Sequence, residues 1–323
     1  MRQVWRPAFL VAVVGVVLPL VGGFLVGKLI APQAHWISHF FLGATLCATS
    51  VGISARIFQE LKIAHTPNAK VVLGAAVIDD VLGLLVLSVL TGIVVSLNAG
   101  QSFQVDGAAY SLAIAVLFLV LAVGLGSFVS RKIFVFASRF RVSHVLLPLS
   151  LAFCFLLAAL ASLAGLAPLV GAYAAGLVLD DFHVRIFKEK GEHDLADLVS
   201  PVSQFFAPLF FVLTGAKVDI SILAQSRVLM FGALLAVLAV VSKVAAGFVL
   251  PKTQFNRLLV GFGMVPRGEV GLIFASLGAT LSVAGVPLVS QEIFSALVVM
   301  VLASTVLGPC LLKYQLGRMS RVG

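Results

Sequence analysis

Apolar runs of about 20 residues recur along the whole chain, separated by short polar stretches. A run of this length spans a bilayer as a helix, whereas a strand of a membrane barrel needs only about 9–11 residues. The pattern therefore predicts about ten transmembrane helices. The predicted segments are Pro7–Ile30, Ile37–Leu61, Val71–Leu97, Ala109–Phe136, Ser143–Leu163, Leu166–Leu179, Ala196–Gly215, Val228–Leu250, Phe255–Val283 and Ile293–Leu312. The sixth segment is short, which favours a tilted or partly re-entrant helix.

The composition also indicates a membrane protein. Of the 323 residues, 61% are hydrophobic and only 11% are charged, and the mean hydropathy is +1.15. A soluble domain is about half apolar and about a quarter charged. These values exclude a soluble enzyme, a nucleic-acid-binding module and a disordered chain. We therefore predict an all-α, polytopic membrane protein that is not an enzyme and has no cofactor.

The positive charges indicate how the chain lies in the membrane. The formal net charge is +9, and 17 of the 22 lysines and arginines fall on the same side as the N-terminus. Cytoplasmic loops carry an excess of these residues. We therefore expect both termini in the cytoplasm and the protein in a bacterial-type inner membrane. The basic pI follows from this topology and does not indicate nucleic-acid binding.

Five charged residues lie at the depth of the hydrocarbon core, away from the ends of the predicted spans: Asp79, Asp80, Lys243, Arg267 and Glu269. Each charge costs at least about 2.5–3.5 kcal/mol at the centre of a membrane helix. Such residues face one another or a cavity, and they commonly mark an ion or proton pathway. Internal salt bridges that only hold helices together are the alternative. Five such groups in one small protein favour a function.

Two of these charges are adjacent aspartates near the middle of the third span. Neighbouring helix positions point about 100° apart, so Asp79 and Asp80 do not face the same partner equally. We expect one to pair with Lys243, the intramembrane lysine of the eighth span, and the other to face a water-filled funnel. Carboxylate oxygens suit hard monovalent cations, and a desolvated carboxyl group also binds a proton readily. A group that holds either a proton or a cation couples the two fluxes.

Two spans carry residues that interrupt a regular helix. These residues are Thr49, Ser50 and Gly52 in the second span, and Pro266, Arg267, Gly268 and Glu269 in the ninth. Interrupted helices at corresponding positions of two repeats indicate a transporter site. The breaks do correspond when spans 1–3 and 8–10 are taken as an inverted repeat. Arg267 and Glu269 either neutralise the dipoles of the half-helix ends or contact the ion directly.

Four strings of this sequence resemble the cation:proton antiporter-2 family, which comprises sodium/proton and potassium/proton exchangers. The strings are 48–52, 73–84, 242–243 and 263–271. They occur in the order of the family, and the match covers essentially the whole chain. The resemblance implies a six-helix transport core, formed by spans 1–3 and 8–10, with two crossing broken helices. It also implies a separate dimerisation domain and an elevator-like form of alternating access.

The same resemblance implies roles for single residues. Asp80 matches the ion-binding aspartate of the family, and Asp79 matches the one that pairs with the lysine, here Lys243. Thr49 and Ser50 lie at the first crossover and offer oxygen ligands. An aspartate at the position of Asp79 goes with electrogenic exchange. Members of the family usually carry about three more N-terminal helices, so we expect an incomplete dimerisation domain.

We therefore expect an antiporter that exchanges a monovalent cation, sodium before potassium, for protons across the lipid bilayer, as a homodimer. The alternatives are a potassium channel or efflux pore, and a truncated homologue that does not transport. The predicted domains are a first core repeat (1–97), a linker helix (98–142), a partial dimerisation or scaffold domain (143–224) and a second core repeat (225–323).

Overall fold

A computed structural model describes residues 4–100, 105–137, 145–179, 194–216, 218, 220–223 and 225–319. These residues are almost entirely helical, as the apolar runs predict. The helices are α1 Trp5–Ile30, α2 Trp36–Thr45, α3 Val51–Glu60, α4 Pro67–Asn98, α5 Val105–Ala137, α6 Leu146–Leu163, α7 Pro168–Val178, α8 Leu195–Ala216, α9 Ile220–Leu223, α10 Ser226–Gly247, α11 Arg257–Gly263, α12 Glu269–Thr280 and α13 Gln291–Met319.

Seven of the described helices are long and apolar enough to cross a membrane: α1, α4, α5, α6, α8, α10 and α13. This confirms an all-α integral membrane protein. The three other predicted spans differ from single long helices. The second span is divided into α2 and α3, the ninth into α11 and α12, and the sixth is the 11-residue helix α7.

The ninth predicted span ends earlier than its apolar residues suggest. Helix α12 stops at Thr280, and the chain continues into a short antiparallel hairpin of β1 (Ser282–Val283) and β2 (Val286–Pro287). Its two turn residues, Ala284 and Gly285, both have positive φ, of 52° and 80°. Positive φ at both central positions is typical of the tight turns that join two strands.

The described residues form two compact units. One contains the residues up to Gly83 and those from Thr214 onward, and the other contains Leu84–Leu213. The first unit therefore brings together the two ends of the chain, although more than 100 residues separate them in sequence. The assignment of transport and dimerisation domains to the predicted residue ranges stays a prediction.

In the first unit, small residues let helix backbones pack closely. A Cβ atom on Gly43 of α2 would overlap the backbone of Leu20 in α1, and one on Gly23 of α1 would overlap the backbone of Gly43. Gly232 of α10 packs against Val299 of α13. Such small-residue contacts are the usual means of helix association in membranes.

A buried apolar cluster joins helices from both ends of the chain in this unit. Most of its members are alanines and branched aliphatic residues of α1, α3, α4, α11 and α13, and others lie at or just after the ends of α10 and α11. They include Ala12, Phe58, Ala75, Val260 and Leu312. This packing holds the first half of α4, which carries both aspartates, between the two interrupted spans.

In the second unit, α6 and α7 form a tight antiparallel pair. A Cβ atom on Gly171 of α7 would overlap the backbone of Leu157 in α6. Phe153, Ala174 and Val178 then pack with Ala122 of α5 in a smaller apolar cluster. This unit carries none of the five charged residues that the sequence places within spans.

Candidate functional site

The first interrupted span has a non-helical segment between α2 and α3. Helix α2 ends at Thr45 and α3 begins at Val51, and the residues between them are buried. The Ser50 hydroxyl accepts a hydrogen bond from the backbone N–H of Ile53 at 3.5 Å, which caps α3. Serine is a favoured N-cap because its side chain satisfies a free backbone donor of the first turn.

The second interrupted span has a matching segment between α11 and α12. Helix α11 ends at Gly263, and α12 begins at Glu269. Pro266 lacks a backbone N–H and cannot continue a helix from the preceding turn, so the break falls here. The Thr305 hydroxyl of α13 donates a hydrogen bond to the Arg267 carbonyl oxygen at 2.5 Å. Non-helical backbone at membrane depth needs such partners.

The two breaks are hydrogen-bonded to each other, and we call this contact between residues 46–50 and 264–268 the crossing. The Ser50 N–H donates to the Pro266 carbonyl oxygen at 2.9 Å, and the Thr49 hydroxyl donates to the Met264 carbonyl oxygen at 3.4 Å. The Arg267 guanidinium donates through Nη1 to the carbonyl oxygen of Ala48. Each break thus satisfies polar backbone groups that the other leaves free.

Asp79 of α4 and Lys243 of α10 form a buried ion pair. Lys243 Nζ lies 2.7 Å from Asp79 Oδ2, and both side chains are fully buried. Gly15 of α1 lies beside the ammonium group, and a Cβ atom at this position would be 3.4 Å from Nζ. Fully buried charges need a partner of this kind, because their transfer out of water costs several kcal/mol per ion.

Asp80 has a different environment from its neighbour. Its side chain is only partly buried, and its Oδ1 atom has no hydrogen-bond partner in the described part of the chain. Asp79, Lys243 and Glu269 lie within electrostatic range of this carboxylate. The structure therefore distinguishes the two aspartates: Asp79 forms an ion pair, whereas Asp80 forms none among the described residues and has an oxygen without a hydrogen-bond partner.

The other predicted crossover residues fall at or beside the breaks. Thr49 and Ser50 lie in the first break, and Pro266, Arg267 and Gly268 lie in the second. Gly52 is not in the first break but in the opening turn of α3, where it is exposed and has open space around its Cα. Glu269 is the exposed first residue of α12, where a carboxylate interacts favourably with the helix dipole.

Two hydroxyl residues at this site were not predicted from the sequence. The Ser54 hydroxyl of α3 donates to the Gly263 carbonyl oxygen at 2.7 Å, and Thr305 supports Arg267 from α13. Ser54 follows Ser50 by four residues and so shares its helix face, which is a usable signal. Thr305 stands among apolar residues of the last span, and no local pattern distinguishes it.

Comparison with known proteins identifies the class. A family model described as "sodium/hydrogen exchanger, transmembrane" matches residues 1–314. The chain therefore belongs to the sodium/hydrogen exchanger family, and the resemblance to sodium/proton exchangers is confirmed.

Individual relatives agree with this family. The chain is 36% identical over 313 residues to the high-affinity Na(+)/H(+) antiporter NhaS3 of Synechocystis, an alignment that covers 95% of this chain and 64% of NhaS3. It is 31% identical over 315 residues to the Na(+)/H(+)-K(+) antiporter GerN of Bacillus cereus, covering 95% of this chain and 75% of GerN. The chain thus spans just under two thirds of the length of NhaS3.

A solved structure shows the same fold. The sodium proton antiporter MjNhaP1 of Methanocaldococcus jannaschii at pH 8 superposes with a TM-score of 0.72. The match covers 96% of this chain and 77% of that protein, at 17% sequence identity. The predicted sodium/proton antiporter fold is therefore confirmed.

Proposed function

We propose that this protein exchanges a monovalent cation for protons across a membrane. The observation that carries the proposal is the buried Asp79–Lys243 pair, with the free Asp80 oxygen beside it, where two interrupted helices meet. Intramembrane ionisable groups at paired helix breaks are the usual construction of an ion-transport site. The family and the named activities of NhaS3 and GerN support the same function.

In this proposal, Asp80 is the group for which cation and proton compete. A cation from the cytoplasm binds the Asp80 carboxylate after its proton has left. A proton from the opposite side later displaces the cation and reloads the carboxylate. Because one carboxylate does not hold both ligands, each cation moved in one direction requires proton movement in the other.

Asp79 and Lys243 act as the second part of the site. Asp79 releases Lys243 when the cation arrives, and the carboxylate then contributes a second oxygen ligand. The pair forms again when the cation leaves, so the buried charges stay balanced in both states. Two ionisable carboxylates in one site support electrogenic exchange.

Sodium is the proposed cation and potassium is the alternative. The name of NhaS3 includes sodium alone, and the name of GerN includes both ions. The donor set of carboxylate, hydroxyl and carbonyl oxygens suits hard alkali cations. Thr49 and Ser50, whose hydroxyls lie at the crossing, are the proposed additional oxygen ligands.

The proposed setting is the inner membrane of a bacterial-type cell, with both termini in the cytoplasm. The excess of lysine and arginine on the N-terminal side supports this orientation. We assign the transport core to the unit that carries both breaks, and the scaffold to residues within Leu84–Leu213. A homodimer completes the proposal.

The test uses purified protein in liposomes that contain a pH-sensitive dye. An imposed proton gradient is dissipated by added sodium or potassium salts, with choline as the control cation. Exchange predicts a dye signal for the transported cation that persists when valinomycin clamps the membrane potential. A channel would move potassium without proton flux under the same clamp, and this result would overturn the proposal.

A further inference from the structure

Arg267 has an unusual environment for a buried cation. Its side chain is fully buried, and one guanidinium nitrogen donates to the Ala48 carbonyl oxygen. Its Nε and Nη2 atoms have no hydrogen-bond partner in the described residues, and its guanidinium forms no ion pair there. A buried arginine with two free donors is costly, because each unpaired donor has lost its hydration.

The Asp79 carboxylate is a candidate acceptor for the two free donors of Arg267. Asp79 binds Lys243 through Oδ2, and its Oδ1 atom is buried without a hydrogen-bond partner in the described residues. The Asp79 carboxylate lies within electrostatic range of the Arg267 guanidinium. Arg267 reaches the backbone of Ala48, and the next residue, Thr49, lies near the Asp79 carboxyl group.

The site therefore holds two fully buried cations and one fully buried carboxylate. The two cations differ in chemistry. A lysine ammonium is a single point charge on a flexible chain, whereas a guanidinium is a planar group with several donors in fixed directions. Lys243 is thus the exchangeable partner of Asp79, and Arg267 is the permanent positive charge beside it.

We propose that Arg267 is a positioning residue that holds Asp79 when Lys243 releases it. The Arg267 Nη2 atom then donates to Asp79 Oδ1, while Nη1 keeps its bond to Ala48. The carboxylate then stays in place at the crossing, although its lysine has moved. This inference rests on the proposed function for the release of Lys243, but the pairing itself does not depend on transport.

A double-mutant cycle tests the pairing without transport. The four proteins are the unmodified chain, Arg267→Gln, Asp79→Asn and the double variant, and the readout is the thermal unfolding midpoint in detergent. We expect Arg267→Gln to lower the midpoint more in the unmodified background than in the Asp79→Asn background, with a difference of about 2 °C or more. In the Asp79→Asn background the arginine keeps its bond to Ala48 but repels Lys243 with no carboxylate between them, so its removal costs less stability.

Equal shifts in both backgrounds would overturn the proposal. If Arg267→Gln does not fold, Arg267→Met takes its place in the cycle, because it removes the charge and the donors and keeps an unbranched side chain. The coupling should then persist with the same sign. Since neither measurement needs exchange activity, a chain that does not transport would refute the proposed function and leave this test valid.

A second measurement distinguishes a role of Arg267 in positioning Asp79 from a role that only stabilises the contact between the two breaks. Thr305→Val removes only the hydroxyl bond to the Arg267 carbonyl, so it serves as the matched structural control. We expect Arg267→Gln to slow exchange by about tenfold or more and to move its pH profile to alkaline values. The loss of a positive charge makes proton release from the nearby carboxylates less favourable.

The charged and titratable groups around Arg267 and Asp79 are Lys243, Asp80, Glu269 and the Cys47 thiol. We expect Arg267→Lys to restore most of the exchange rate and the original pH profile, because it retains the charge. Thr305→Val should leave the profile unchanged. If Thr305→Val and Arg267→Gln alter the pH profile alike, Arg267 is only a brace and the proposal fails.

Discussion

The backbone N–H of Ser50 donates a hydrogen bond of 2.9 Å to the carbonyl oxygen of Pro266. These residues lie in different interrupted helices, one near each end of the chain. Their bond shows that the two breaks form one structural element, in which each segment supplies partners for the free backbone groups of the other. The charged residues of the site are arranged around this crossing.

The bond from Ser54 to Gly263 should contribute measurably to stability. Ser54→Ala removes a 2.7 Å hydrogen bond and leaves a buried carbonyl oxygen at the end of α11 without this donor. We expect the free energy of unfolding to fall by about 1–3 kcal/mol, measured by unfolding in detergent. Ser96→Ala is the control, because the Ser96 hydroxyl donates only within its own helix, to Gly92. Equal losses for both variants would contradict the proposed importance of the crossing.

The contact between α1 and α2 should not tolerate a side chain. A methyl group on Gly43 would overlap the backbone of Leu20, and the backbone does not rotate away as a flexible side chain does. We expect Gly43→Ala to cost about 1–3 kcal/mol, seen as a lower unfolding midpoint. Gly124→Ala in α5 is the matched control, since nothing lies within 4 Å of its added methyl group. A neutral Gly43→Ala variant would show that the helices are further apart.

Removing one member of the buried ion pair should lower the free energy of unfolding more than removing both members. Lys243→Met leaves the Asp79 carboxylate buried without its ammonium partner, and we expect a loss of roughly 3–5 kcal/mol in the free energy of unfolding. The double variant Asp79→Asn/Lys243→Met should recover much of this loss, because no unpaired carboxylate remains. Lys28→Met, at an exposed lysine of α1, controls for the loss of one positive charge.

One result would contradict this prediction for the Asp79–Lys243 pair. If the double variant is as unstable as the sum of its two single changes, Asp79 and Lys243 are not energetically coupled. The 2.7 Å contact would then not be a pair that matters for folding.

Much of the fold follows from the sequence, since apolar length alone places most helices. Pro266 and the glycines around it also indicate where the ninth span breaks. The position of the first break is predicted less exactly. Gly52 looks like an interruption in the sequence, but it lies inside α3, where a glycine is tolerated. The hairpin after Thr280 was not predicted, since Leu281 and Val283 continue the apolar run.

The site shows where sequence reasoning stops. A charge within an apolar span is visible in the sequence, and Lys243 is the natural lysine to pair with an aspartate of α4. The charge pattern alone does not say which aspartate pairs with Lys243, because this depends on helix rotation and packing. The family resemblance implies Asp79, and the structure places Asp79 against Lys243. The support of Arg267 by Thr305 depends on tertiary contacts between distant segments, about which local residue patterns carry no information.

The central claim is that Asp80 carries the transported ion, and one comparison tests it most directly. Purified protein in liposomes with a pH-sensitive dye is assayed for sodium- and potassium-driven proton flux, with Asp80→Asn measured beside the unmodified chain. Asp197→Asn, at an exposed aspartate of the first turn of α8, is the matched control for loss of one carboxylate. We predict that Asp80→Asn abolishes the proton flux, although this variant unfolds at the same temperature as the unmodified chain. Asp197→Asn should retain the flux. Full flux in a folded Asp80→Asn protein would contradict the account.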